Sequence, residues 1–313
     1  MDLSTRQVLL GIGTNFLPKL LFSCRFRQHR ENTMQVISGL IRLMRLGNGL
    51  IAGLAVMLGA LLGQPTSPDW LWIGIAGTSA LLITAGGNTL NDVCDREIDR
   101  LNRPERPLPA GMVSVRQATI WGSLLLLAGL GISYRLQITL FGMAMLVTVL
   151  ILIYNLRWKR QPLIGNVVVA LSSALCFVYG GLAVNTVLPT LIPAVFAFFF
   201  HLAREIIKDI EDMRGDRAQR ATTFPIVYGE EHAIRLVIFI LWILVILIPL
   251  PYLLEIYSWV YLLIVTIGVL PVLAHTIMKL KNRTQPANFA QISLYLKLDM
   301  IVGILAIWKG QYP

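Results

Sequence analysis

Asn91, Asp95 and Asp99 recur at every fourth residue in the stretch NTLNDVCDREIDRLNRPERPLPAG, residues 88–111, where a long apolar run ends. On a helix of 3.6 residues per turn, a step of four keeps these oxygen-bearing side chains on one face. Like charges at that spacing repel one another. The repulsion is relieved when a divalent cation sits between the carboxylates. Hard cations such as Mg²⁺ take oxygen ligands and commonly share them with substrate phosphates. The stretch is therefore read as a metal–phosphate site, against the alternative of a solvated helix end neutralised by Arg96, Arg100 and Arg103.

A second stretch, HLAREIIKDIEDMRGD at residues 201–216, repeats the pattern. Lys208, Asp212 and Asp216 step by four, provided that the helix runs through Gly215, and Glu205 and Asp209 form a neighbouring stripe. Ion pairing among Arg204, Lys208, Asp209 and Asp212 is the competing explanation. Two acidic clusters in the same topological position are hard to explain as packing, so the repetition favours the metal reading.

The elements that must position these residues are membrane helices. Apolar residues make up 56% of the chain and charged ones only 14%, with a mean hydropathy of +0.68, far from a soluble average. Crossing a hydrocarbon core takes roughly 20 mostly apolar helical residues. Nine runs qualify, at about 40–63, 69–92, 115–134, 137–156, 163–184, 188–209, 232–254, 257–278 and 289–308. They lack the period-two alternation of barrel strands, so the expected fold is an all-α bundle of nine transmembrane helices. The two acidic stretches then end the second and sixth spans.

Lys and Arg concentrate in alternate loops, which by the positive-inside rule puts the N-terminus in the cytoplasm, the C-terminus outside and both acidic clusters on the cytoplasmic side. The net charge of +10 is read as this topology signal and as a surface for anionic lipid or substrate. It is not read as a nucleic-acid footprint, and no obligatory protein partner is inferred.

Several polar residues near the cytoplasmic helix ends join the candidate site. Arg45 and Asn48 enter the first span three residues apart, aimed either at the acids or at lipid headgroups. Asn88 precedes the first cluster, while Arg157, Trp158, Lys159 and Arg160 close the fourth span, as phosphate ligands or as ordinary anchors. Gly180 and Gly181 are expected to serve close packing. Cys24, Cys94 and Cys176 form no CxxC pair, and the four histidines lack zinc spacing. His201 is read as a helix-packing residue, with reach to a substrate as the alternative. Residues 1–33 are an interfacial helix, a signal peptide or, if translation begins at Met34, extraneous to the functional unit 34–313.

With both clusters in view, the chain resembles the UbiA superfamily of intramembrane prenyltransferases. The motifs are Asn91-x3-Asp95-x3-Asp99, and Asp212-x3-Asp216 within REIIKDIEDMRGDRAQRATTFPIVYG. The latter string and LRWKRQPLIGNVVVA, residues 156–170, resemble the branch that makes digeranylgeranylglyceryl phosphate, an ether-lipid precursor. The resemblance implies a central cavity opening to the membrane, two Mg²⁺ ions held by the two motifs and an isoprenyl diphosphate between them. It assigns Asn91, Asp95, Asp212 and Asp216 to metal contact, with Asp92, Asp99 and Asp209 as further ligands. Asp95, Asp99, Asp212 and Asp216 are the catalytic set, and Arg45, Asn48, Asn88, Arg157, Lys159 and Lys208 the substrate contacts. The implied reaction is Mg²⁺-dependent transfer of a long isoprenyl group, such as geranylgeranyl, to a lipophilic acceptor such as geranylgeranylglyceryl phosphate. An aromatic acceptor is the alternative, and a cation-coupled transporter a remote one. A CDP-alcohol phosphotransferase is disfavoured because its DG-x2-AR signature is missing.

Overall fold

Inside a bilayer a chain must satisfy its own backbone hydrogen bonds, and each apolar run read from the sequence is helical in the computed structural model. The structure describes residues 33–63, 67–218, 220–282 and 288–311. The readings made for residues 1–32 fall outside them. In chain order, α1 (Thr33–Met44) leads into α2 (Leu46–Gly63), α3 (Trp70–Cys94), the short α4 (Arg96–Asn102), α5 (Val115–Leu136), α6 (Ile138–Leu156) and α7 (Ile164–Ala183). A 3₁₀ turn at Leu188–Thr190 opens α8 (Leu191–Ala218), and α9 (Phe224–Tyr228) precedes α10 (Glu230–Leu247) and α11 (Leu250–Leu253). The next span joins α12 (Trp259–Ile264), a π segment (Val265–Val269) and α13 (Leu270–Lys281), before α14 (Phe289–Lys309). Among the described residues nine spans are long and apolar enough to cross a membrane. Large apolar side chains such as Leu127 (64%), Ile246 (64%) and Ile267 (70%) are exposed on the outside, as a lipid-facing surface requires. The chain is an integral membrane protein.

Two boundaries depart from those read in the sequence. The first run, 40–63, is broken: Arg45 takes a left-handed backbone (φ 48°) between α1 and α2. The sixth, expected to stop near 209, continues to Ala218 through Gly215, so the four-residue step of the second motif is kept on one helix. Local signals explain other ends. The Asp69 carboxylate accepts from the Trp72 amide at the start of α3, and Ser114 and Gln117 form a reciprocal capping box on α5. Pro271 has no amide for an α-helical bond, and the residues before it adopt the π pattern.

Among the described residues eight spans line a central chamber: α2, α3, α6, α7, α8, α14, the one containing α12 and, through Ile248, the one containing α10 and α11. Small residues close the ring. A Cβ on Gly180 would lie 2.0 Å from the Val56 carbonyl oxygen, and one on Gly59 would lie 2.2 Å from that of Phe177. The α2 and α7 backbones thus touch directly, the packing that glycine permits where lipid offers no hydrophobic drive between helices. A buried hydroxyl cluster ties α3, α5 and α7 together, with Ser79 Oγ 2.7 Å from Ser133 Oγ and Ser133 Oγ 2.9 Å from the Tyr179 hydroxyl.

Candidate active site

The first motif straddles a helix break at Asp95 (φ −89°, ψ 0°) without losing its step of four. The Asp95 amide donates to the Asn91 carbonyl (2.9 Å), the Asp99 amide to that of Asp95 (2.8 Å) and the Arg103 amide to that of Asp99 (2.8 Å). The helical ladder therefore carries Asn91, Asp95 and Asp99 onward from α3 into α4. The second motif lies on the last turns of α8. The two meet where Asn102 packs on Gly215: a Cβ there would be 2.5 Å from Asn102 Nδ2, which itself donates to the Asp212 carbonyl at 3.3 Å. Any larger residue there would have to displace the Asn102 side chain.

The result is one vestibule lined by Asn91, Asp95, Asp99, Asp209, Asp212 and Asp216, the oxygen-bearing residues of both motifs. Its volume, about 250 Å³, is close to the 270 Å³ of the central chamber. Arg45, Asn91, Asn155 and Lys208 line both spaces and mark the waist between them. Beyond the waist the chamber walls are mostly apolar, from Ile51 and Ala55 to Phe196 and Phe200, and its far end holds Tyr261, whose hydroxyl donates to the Ile248 carbonyl (2.7 Å).

The carboxylates are held by cationic and amide side chains. Lys159 pairs with Asp95 and Arg45 with Asp92. Arg106 Nη1 donates to both oxygens of Asp99 at 2.8 and 2.7 Å and lies 3.5 Å from Asp92. Arg103 crosses from the first motif to the second, reaching Glu211 (2.9 Å) and Asp212 (3.1 Å). Asn166 Nδ2 donates to Asp209 at 2.8 Å. The Asn91 amide reaches Asp95 Oδ2 at 2.9 Å and Lys159 Nζ at 3.3 Å. Burial pushes the Asp99 carboxyl above its ordinary pKa, with Arg106 pulling the other way and Asp92 and Asp95 adding to the rise. Burial works against the Lys159 ammonium too, but the Asp95 carboxylate outweighs it and raises the lysine above its usual value.

This neutralisation differs from the one considered in the sequence. Arg96 and Arg100 stay near Glu97, and Arg103 serves the opposite motif. Arg106, Lys159 and Arg45 do the neutralising instead. Among the described residues no three acidic, His or Cys side chains already enclose a common point. The donor set nevertheless suits hard divalent cations: it is all oxygen, and its carboxylates are held by flexible cationic side chains that stand in for positive charge.

The sequence pattern of the UbiA prenyltransferase family matches residues 52–298. The chain belongs to that family. This UbiA-family protein is 34% identical over 270 residues to the digeranylgeranylglyceryl phosphate synthase of Methanosphaera stadtmanae, covering 86% of this chain and 98% of that one. It is 37% identical over 259 residues to the enzyme of the same name from Sulfolobus acidocaldarius, covering 82% and 92%. A solved structure of digeranylgeranylglyceryl phosphate synthase superposes with a TM-score of 0.69 at 29% identity, covering 88% and 98%. A UbiA homolog from Archaeoglobus fulgidus, bound to GPP and Mg²⁺, shares the fold with a TM-score of 0.65 at 20% identity, covering 86% and 99%. The protein is thus an intramembrane prenyltransferase.

Not every residue singled out in the sequence reaches the cavities. Asp92 is buried beneath Arg45 and Arg106 and lines neither space. Arg157 is exposed and also lines neither. Asn48 and Asn88 line the chamber, where Asn48 accepts from Lys297 (2.6 Å) and Asn88 donates to the Met44 carbonyl (3.3 Å). His201, read as a packing residue, instead lines the chamber, and its Nδ1 has no partner among the described residues. Sequence reading missed Lys297, although a lone cation within the ninth apolar run is itself a signal of function. Cys94 and Cys176 are free thiols, and Cys24 lies outside the described residues.

Proposed function

We propose that this enzyme transfers a geranylgeranyl group from geranylgeranyl diphosphate to the free hydroxyl of geranylgeranylglyceryl phosphate, releasing diphosphate, and that it needs Mg²⁺. The observation carrying this reading is that both acidic motifs line a single vestibule whose waist opens into an apolar chamber. The names of relatives at 34% and 37% identity support the acceptor. Asn91, Asp95, Asp99, Asp209, Asp212 and Asp216 would hold the metal, with Asp92 keeping Arg45 and Arg106 in place behind them. Bound there, Mg²⁺ supplies Lewis-acid stabilisation of the charge developing on the departing diphosphate.

Lys159, Arg103 and Arg106 exchange their carboxylate partners for phosphate oxygens, and Arg45 binds them at the waist. The donor's tail lies in the apolar chamber. Its allylic C1–O bond breaks at the waist, the electron pair leaving with the diphosphate, and the acceptor hydroxyl oxygen forms the new ether bond as its proton passes to the released diphosphate. The apolar walls exclude water that would otherwise trap the allylic cation. The catalytic unit is residues 34–313, oriented with the N-terminus and the vestibule toward the cytoplasm and the C-terminus outside, as the loop cations indicate.

The experiment is an acceptor screen with labelled geranylgeranyl diphosphate and purified protein, with Mg²⁺ or with EDTA. The reading expects a double-prenylated glyceryl phosphate that forms only with Mg²⁺. Product on a hydroxybenzoate or quinone precursor alone would replace the acceptor.

A further inference from the structure

The central chamber has a second charged wall that the two acidic motifs do not explain. Among the described residues four cations line it, Arg45, Arg204, Lys208 and Lys297, against the single carboxylate of Glu205. Arg45 is committed to Asp92. Glu205 is shared between Arg204 Nη1 (3.1 Å) and Lys208 Nζ (2.9 Å). Lys297 reaches across from α14 to a neutral oxygen, Asn48 Oδ1, at 2.6 Å, with Gly47 leaving space beside its ammonium. Among the described residues no carboxylate pairs with it. Arg204, Lys208 and Lys297 together therefore exceed Glu205 by two positive charges. Two buried nitrogens on the same wall, His201 Nδ1 and Arg204 Nε, have no hydrogen-bond partner among the described residues.

Uncompensated charge and unsatisfied donors within a bilayer are costly unless a ligand satisfies them. The missing ligand must be anionic, rich in acceptor oxygens and attached to an apolar body, because the rest of the chamber is lined by groups such as Ile51, Phe196, Phe200 and Met300. A phosphate monoester carries about 1.5 to 2 negative charges near neutral pH and has three acceptor oxygens. We infer that His201, Arg204, Lys208 and Lys297 form a cradle for the phosphate of the lipid acceptor, separate from the vestibule that holds the donor's diphosphate. This rests on the proposed glyceryl phosphate acceptor. It explains how two phosphorylated lipids are kept apart: one headgroup lies among the paired carboxylates, the other on the cation wall. The waist residues Arg45 and Lys208, which touch both spaces, are where the acceptor hydroxyl meets the allylic carbon.

The test compares the wild type with Lys297→Met, Lys297→Arg and Arg204→Gln in detergent micelles. Steady-state kinetics are combined with thermal shift by geranylgeranylglyceryl phosphate, its dephosphorylated alcohol or phosphatidylglycerol, each without donor. The cradle predicts that Lys297→Met and Arg204→Gln raise the acceptor KM by about tenfold to a hundredfold, that the prenyl diphosphate KM moves less than about threefold, and that Lys297→Arg recovers most of the loss. Only the phosphate monoester should stabilise the wild type strongly, and Lys297→Met should lose that shift while keeping the shift given by Mg²⁺ and prenyl diphosphate. Wild-type use of the acceptor with an unchanged KM in both charge-removing variants would overturn the cradle alone. Equal stabilisation by phosphatidylglycerol would make it a general lipid contact and also overturn it. A wild type that neither binds nor prenylates glyceryl phosphate would instead overturn the acceptor reading beneath it.

Discussion

The vestibule and the chamber are similar in volume yet opposite in character. In the vestibule, five aspartates face a comparable number of lysines and arginines, so acid and base neutralise each other across the two motifs. In the chamber, cations outnumber carboxylates and the remaining wall is apolar. Placing ionised groups in a low-dielectric region is tolerable only when each has a partner. The vestibule is built from exchangeable partners, which suits the proposed uptake of metal and diphosphate and the release of diphosphate. The chamber keeps an unbalanced wall, which suits a ligand that brings its own negative charge.

Removing the oxygens that define the vestibule should have the largest effect. Asp95→Asn and Asp212→Asn are each expected to lower prenyl transfer by about a hundredfold to a thousandfold, while leaving a folded protein in the membrane. Activity on purified protein, with retention on size-exclusion chromatography as the folding control, measures this. Normal turnover in both variants would dissolve the distinction between the two spaces. Gly180→Leu attacks the chamber from behind by forcing α7 off the Val56 carbonyl. It should cost about 1–3 kcal/mol or more, visible as a lower Tm, whereas the same change at Gly142, where a Cβ meets nothing within 4 Å, should leave Tm nearly unchanged. Arg103→Gln cuts the pair that joins the motifs and should reduce kcat/KM for the prenyl diphosphate by about tenfold. Arg157→Ala is the smallest change. Although it lies two residues from Lys159, it lines neither space and should alter kcat/KM by less than about twofold.

How much of this was legible in the sequence follows from the range of each interaction. The nine spans are visible because a membrane helix needs only its own apolar residues, and the step of four is visible because it is set within one element. The break at Arg45 is not, since an arginine in a left-handed conformation is held there by its pairing with Asp92, on another helix. Arg106 and Arg103 reach their partners through a loop whose path the apolar pattern does not encode, so the neutralising role that the alternative reading gives to Arg96, Arg100 and Arg103 falls instead to Arg106, Lys159 and Arg45. His201 looked like packing because its chamber-facing side is fixed by the rotation of α8 within the bundle, not by its neighbours in sequence.

The central claim is that the two motifs serve one site. A double-mutant cycle on Asp95 and Asp212, read as Mg²⁺-dependent transfer from geranylgeranyl diphosphate, tests it most directly. Groups acting as one unit are strongly non-additive, so Asp95→Asn combined with Asp212→Asn should lose little more than either change alone. Losses that multiply, so that the double variant falls by the product of the two single effects, would contradict a shared vestibule.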